Sequence, residues 1–169
     1  MDKLSALVEI YKPHIIGITE SWDNKDIKDA EFGITGYLFR KDRSSKNRGG
    51  GVLLYIVNEL EAVEWKPQSQ FPEQIWCKLK VPANGNLLVG VCYRTANKEI
   101  FGDIAEKQLN DLIEELHGKH VMLMGDFNYP DTDWSSYIVS HEMDSPSSIV
   151  LKTAFLPSMY KIPQDQTPC

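Results

Sequence analysis

Long apolar runs are absent: none approaches the roughly 18 residues that a transmembrane helix requires. Met1-Asp2-Lys3 leads into an amphipathic segment, so the apolar stretch of a signal peptide is missing too. Cysteine is scarce. Cys77, Cys92 and Cys169 have neither zinc nor redox spacing, and the first two lie inside strand-like runs, where reduced, buried thiols are expected. These absences lead to the expectation of an intracellular protein with no membrane partner. Histidines do not cluster. His14, His117 and His120 flank expected elements and read as structural or solvated, which leaves His141 as the spare candidate for a site. Excess positive charge is lacking as well. The net charge of −6 argues against a protein that coats nucleic acid, because phosphate contacts dominate that affinity. No internal repeat and no linker interrupts the chain, so residues 1–169 are expected to form one domain.

What is present suffices for a packed core: 42% of residues are hydrophobic and 25% charged, both globular values. The charge is uneven. Arg40, Lys41, Arg43, Lys46 and Arg48 lie close together, offset only by Asp42. With Ser44, Ser45 and Asn47 between them they read as an exposed loop, either simply solvated or a surface for a phosphate backbone.

Leu4, Leu7, Val8 and Tyr11 recur at helical spacing, and Pro13 ends that helix. Ile15–Ile18 reads as a short strand running into Thr19-Glu20, and Tyr37–Lys41 as another. Gly49-Gly50-Gly51 opens the apolar strand Val52–Val57 and indicates a bulge or a close backbone approach. No Lys-Ser/Thr and no helix follow, so a phosphate cradle is the weaker reading. Gln74–Val81 alternates as a half-buried strand, with Ile75, Cys77 and Leu79 on one face. Leu87–Val91 leads into Cys92-Tyr93, and Asn84-Gly85 between the two strands signals a hairpin. Ile100–Leu116 is an expected amphipathic helix through Ile104, Leu109, Leu112, Ile113 and Leu116, stopped by Gly118. The strand Val121–Met124 follows. A helix from about Pro146 to Leu156, capped by Ser145, and an aperiodic tail from Pro157 to Cys169 complete the order. This order implies a mixed sheet with helical cover.

Three expected strand ends deliver polar groups: Glu20, Tyr93, and Asp126 with Asn128. In an extended backbone residues i and i+2 point the same way, so Asp126 and Asn128 are expected to face one small volume. Two carboxylates and an amide suit Mg²⁺, a hard ion that takes one or two carboxylates and completes its shell with water and phosphate. Asn128 can orient a water or a phosphate oxygen, and Tyr93 can hydrogen-bond one. Asp131 and Asp133 read as turn caps beside Pro130.

The segments Ile-Thr-Glu20-Ser-Trp, Arg48-Gly-Gly-Gly-Val, Cys-Tyr93-Arg94 and Met-Gly-Asp126-Phe-Asn128-Tyr-Pro-Asp-Thr-Asp-Trp resemble the endonuclease/exonuclease/phosphatase superfamily in order and approximate spacing. The resemblance is closest to the apurinic-like endonuclease domains of non-LTR retrotransposons, and it covers about residues 2 to 165. It implies a four-layer α/β sandwich and metal-dependent phosphodiester hydrolysis, with Mg²⁺ or alternatively Mn²⁺ as cofactor. By position, Glu20 resembles the metal ligand and Tyr93 the phosphate-contacting tyrosine. Asp126 resembles the acid that positions or activates the attacking water, and Asn128 the amide beside it. Arg94 follows the tyrosine and is expected to meet a substrate phosphate. The implied partner is DNA, with a reverse transcriptase domain in a longer parent and a nuclear setting.

The family's first strand, ending in Asn, and its closing Ser-Asp-His run are not found between Met1 and Cys169, so an incomplete domain is expected. Three functions follow from these features. One is a DNA-nicking endonuclease, favoured by the basic Arg40–Arg48 stretch. A second is a small-molecule phosphoesterase of the same superfamily, disfavoured by the Asp-Trp run. The third is a catalytically dead remnant that binds nucleic acid or a partner.

Overall fold

The computed structural model describes residues 2–22, 31–42, 50–82, 85–95, 98–130, 132–133 and 138–139. Arg43, Lys46, Arg48, Gly49, Asn84, Asp131, Trp134, His141, the helix expected over Pro146–Leu156 and the tail to Cys169 lie outside the described residues. Helix α1 spans Asp2–Tyr11, and strands β1 and β2 are Ile15–Thr19 and Tyr37–Asp42. Strand β3 is Val52–Val57, β4 Val63–Glu64, β5 Gln74–Val81 and β6 Gly85–Tyr93. Helix α2 is Lys98–Leu116, followed by β7 at His120–Asp126, β8 at Thr132–Asp133 and β9 at Ile138–Val139.

The mixed sheet read from the element order is divided between two larger sheets, as the sandwich implied by the resemblance requires. One has the order β1-β3-β2 and is wholly antiparallel. The other has the order β4-β5-β6-β7, antiparallel except for the parallel pair β6–β7, which α2 connects. A short β8–β9 pair stands apart.

Side-chain alternation assigns the layers. Val52, Leu54 and Ile56 of β3 face Cys77, Leu79, Val89 and Val91 of the second sheet and form the inner core. Leu53 and Tyr55 point outward and meet Phe32, Ile16, Ile18 and Leu4 of α1. On the other outer face Trp76, Leu88, Cys92 and Val121 pack on Leu109, Leu112, Ile113 and Leu116 of α2. The layers therefore run helix, sheet, sheet, helix, the four-layer α/β sandwich. Strand β5, expected to be half-buried, is covered on both faces, since Trp76 is only 2% exposed while Cys77 is fully buried opposite it. A fully buried large apolar side chain contributes about 1.5–3 kcal/mol, so β3, buried on both faces over Val52–Ile56, is a principal source of stability.

Two expected helical stripes are only partly realised. Val8 is buried and Leu4 packs on the first sheet, but Leu7 and Tyr11 are exposed, because one face of α1 is enough to cover that sheet. In α2, Gly102 takes non-helical angles (φ 30°, ψ 177°) and breaks the helix near its start. The break shifts the register, so Ala105 enters the core while Ile104 is 78% exposed. No helix among the described residues is long and apolar enough to cross a membrane.

Burial pushes the thiols of Cys77 and Cys92 above their ordinary range, and both are free. These are the reduced, buried thiols expected of residues inside strands.

Candidate active site

Several strand termini meet at one end of the sandwich: the C-termini of β1, β6 and β7 and the start of β3. The parallel register sets Tyr93 beside Asp126. Both follow alternate core residues, Val91 and Met124, and so belong to the face turned toward the first sheet. From that sheet comes Glu20. The Tyr93 hydroxyl donates to Glu20 Oε1 at 2.7 Å, joining the two sheets through side chains.

Gly17 makes this approach feasible. A Cβ at position 17 would lie 2.9 Å from Val91 Cγ2 and 3.2 Å from Met124 Cε. Because there is none, β1 lies against β6 and β7 just below the site, and Glu20 comes within reach of Tyr93. Past Glu20 the chain turns sharply: Glu20 and Trp22 have φ of 52° and 51°. The turn is pinned by two backbone bonds, Ser21 N to Gly51 O at 3.2 Å and Trp22 N to Gly50 O at 3.0 Å. Trp22 is left about half exposed at the site rim.

The glycines before β3 serve this close backbone approach. Gly50 has φ 82°, and a Cβ there would stand 2.5 Å from the Glu73 carboxylate. Gly51 N donates to Glu73 Oε2 at 3.0 Å. Glu73 is buried, and its carbonyl also accepts Tyr93 N at 3.0 Å, so one residue supports both the Gly50-Gly51 turn and the end of β6. A lone acid before a strand reads as a boundary residue, and sequence reasoning missed it for that reason.

Asp126 and Asn128 are brought together differently from the expectation. Strand β7 ends at Asp126, and Asn128 adopts a left-handed φ of 48°, so extended-chain alternation does not relate them. A tight turn does: Asn128 N donates to Asp126 Oδ1 at 3.0 Å, the short-range bond that Asp side chains make to the backbone two residues on. The Asn128 amide donates to the Arg94 carbonyl at 2.7 Å. Gly125, with φ 151°, permits the strand end, since a Cβ there would fall 2.0 Å from the Cys92 carbonyl oxygen.

Arg94 lies behind this turn, not in front of it. Its backbone N donates to Asp126 O at 2.9 Å, and its Nη1 to the carbonyls of Phe127 and Asn128 at 3.1 and 3.0 Å. Nε and Nη2 meet Glu106 Oε2 at 3.3 Å, and the guanidinium rests 4.1 Å from the centre of the Tyr129 ring. Arg40 and Lys41 stand on β2, not in a loop, and alternate between its faces. Lys41 Nζ lies over the Phe32 ring on the outer face at 5.4 Å, while Arg40 pairs with inward-facing Leu54.

Burial raises the Tyr93 hydroxyl to about 12, aided by its hydrogen bond to Glu20 and by the charges of Glu20 and Asp126, with Thr95 acting in the opposite direction. Tyr93 is therefore a neutral hydrogen-bond donor at any ordinary pH. Two carboxylates acting on one hydroxyl form an all-oxygen donor set of the kind a hard divalent cation takes. No group of three or more His, Cys, Asp or Glu residues suited to a metal occurs among the described residues. Glu20 and Asp126 are the carboxylates of this end whose oxygens could serve an ion that completes its shell with water and phosphate.

The Endonuclease/Exonuclease/phosphatase family model matches residues 1–154. A search of curated proteins finds no match to the chain.

Proposed function

The chain belongs to the Endonuclease/Exonuclease/phosphatase family, and on that premise we propose that it is a Mg²⁺-dependent endonuclease that nicks DNA. Family members are usually hydrolases of phosphodiester bonds that use divalent metals. The observation that carries the reading is the meeting of Glu20, Tyr93 and Asp126 at the end where both sheets converge.

Glu20 and Asp126 would hold the metal. When bound, the ion supplies charge neutralisation at the phosphoryl oxygens and at the leaving oxyanion. Tyr93, held neutral, gives its one hydroxyl hydrogen to Glu20 and so orients that metal-holding carboxylate. Asp126 keeps one carboxylate oxygen on Asn128 N, which fixes its rotamer. Its other oxygen can orient a water for attack. Asn128 adds an amide without adding charge. The Trp22 indole, exposed two residues beyond Glu20, supports a substrate that carries bases, because aromatic faces stack on nucleobases. An enzyme of this kind suits a parent with a reverse transcriptase domain acting on chromosomal DNA.

The test is conversion of supercoiled plasmid to the open-circular form with Mg²⁺, comparing this chain with Asp126→Ala. Nicking by the parent that EDTA and Asp126→Ala both abolish is the expected result. Equal background in the two proteins overturns the reading.

A further inference from the structure

We infer that Glu106, on the outer helix α2, is a positioning residue that fixes Asp126 through Arg94. The inference rests on the phosphodiesterase reading above for its catalytic consequence, though not for its structural part.

Every residue from Asp126 to Tyr129 is held by Arg94 or Glu106. Asp126 O accepts Arg94 N, and Phe127 O and Asn128 O both accept Arg94 Nη1. The Asn128 amide returns a hydrogen bond to the Arg94 carbonyl. The Tyr129 ring lies against the guanidinium, and its hydroxyl donates to Glu106 Oε1. Glu106 is the member that orients the others. Its Oε2 receives both Nε and Nη2 of Arg94, which directs Nη1 toward the two loop carbonyls.

The arrangement is not needed to hold α2 in place. Leu109, Leu112, Ile113 and Leu116 already anchor that helix on the second sheet. The pair is largely buried, with side-chain exposures of 12% for Arg94 and 18% for Glu106. A pair in that setting gives up much hydration and is weak support for stability. Its geometry instead specifies one conformation of a turn that contains a left-handed Asn128 and would otherwise have alternatives. Glu106 sits in the first turn after the Gly102 break, where the helix terminus favours a negative charge. Removing the carboxylate takes away the acceptor that orients Nε and Nη2, and the Asp126 turn loses part of its backing.

The experiment uses the full chain with Glu106→Ala and Glu106→Gln. It measures kcat and KM on bis(p-nitrophenyl) phosphate with Mg²⁺, and hydrogen exchange at the Asn128 amide. Loss of a group that orients a metal ligand typically costs about 10–100-fold in activity, so Glu106→Ala is expected to lower kcat by that order with KM nearly unchanged. Exchange at the Asn128 backbone N–H should quicken, because its bond to Asp126 Oδ1 belongs to the turn that Arg94 backs. Glu106→Gln keeps an oxygen acceptor for Arg94 and should recover most of both. Unchanged exchange in Glu106→Ala overturns the positioning role, whatever the parent protein does. So does an equal loss of melting temperature in both variants with no recovery by Gln. A parent chain that hydrolyses no phosphodiester overturns the functional reading instead.

Discussion

The Tyr93 hydroxyl and the Glu20 carboxylate are 73 positions apart in sequence and 2.7 Å apart in space. Their hydrogen bond joins the two sheets at this end, beside those from Gly51 N to Glu73 and from Gln74 N to Asp42. Tyr93→Phe removes the donor and leaves the ring in the core. The expected stability loss is about 0.5–1.5 kcal/mol, the net value of one such bond. Hydrolysis should fall further, by about 10–100-fold, because loss of a group that orients a metal ligand costs that order. Urea denaturation read beside plasmid nicking separates the two effects. Equal losses in both would show that Tyr93 is only a core residue.

Gly17 should tolerate no side chain without moving the sheets. Gly17→Val places a branched group against Val91 and Met124, where even a Cβ is tight. Overpacking of this sort costs about 1–3 kcal/mol. The displacement should also separate Glu20 from Tyr93, so activity should be lost in protein that remains folded by circular dichroism. A fully active Gly17→Val would show that the spacing of β1 does not set the site.

Gly125→Ala meets backbone, not a flexible side-chain tip. The added Cβ would stand 2.0 Å from the Cys92 carbonyl oxygen, at a φ of 151° that L side chains rarely adopt. Losses above about 3 kcal/mol are expected, toward the exceptional end for a point substitution. Gly118→Ala is the control. It also has positive φ but meets nothing within 4 Å, so it should cost only about 1 kcal/mol. Comparable denaturation midpoints for the two variants would refute the close-approach explanation.

Alkaline pH should destabilise the fold over a defined window. Tyr55 and Tyr93 are each raised from 10 to about 12 by burial, with Glu20 adding to the effect at Tyr93. In the unfolded chain both ionise near 10. Their contribution is therefore complete below pH 10 and is lost as pH rises through about 12. Each two-unit shift corresponds to about 2–3 kcal/mol. Melting temperature should fall steeply between pH 10 and 12, and less steeply in Tyr55→Phe. A 295 nm titration of the folded chain should show a late-ionising tyrosine component that Tyr55→Phe reduces. A melting temperature flat from pH 10 to 12 would contradict the burial assigned to both hydroxyls.

Much of this end of the molecule was legible beforehand, for reasons that particular residues make clear. Glu20, Tyr93 and Asp126 each follow an apolar strand, so period-two patterning finds them without knowledge of the partner strands. Asn128 stands beside Asp126 through a turn and not through alternation, since patterning assumes extended backbone and Asn128 is left-handed. Helical periodicity puts Ile104 in the core only if Gly102 is one more helical position, and its backbone ends that register. Glu73 and Glu106 left no periodic trace. Their partners Gly51 and Arg94 lie 22 and 12 positions away, and only the sandwich brings them into contact. Strand β3, apolar on both sides, was visible as a strand. That it stands at the centre of its own sheet was not, because burial on two faces does not say what lies on either side.

The sealed thiol of Cys92 offers a clock. It lies between the second sheet and α2, with burial suppressing the thiolate that exchange reagents attack. Labelling at Cys92 should therefore wait for α2 to lift, and its rate should report how often that opening occurs. Cys77 lies on the opposite face of the same sheet, so its labelling should wait for the two sheets to part. Two residues of one chemistry would thus time two separate openings of one fold, and both openings bear on a site that neither thiol touches.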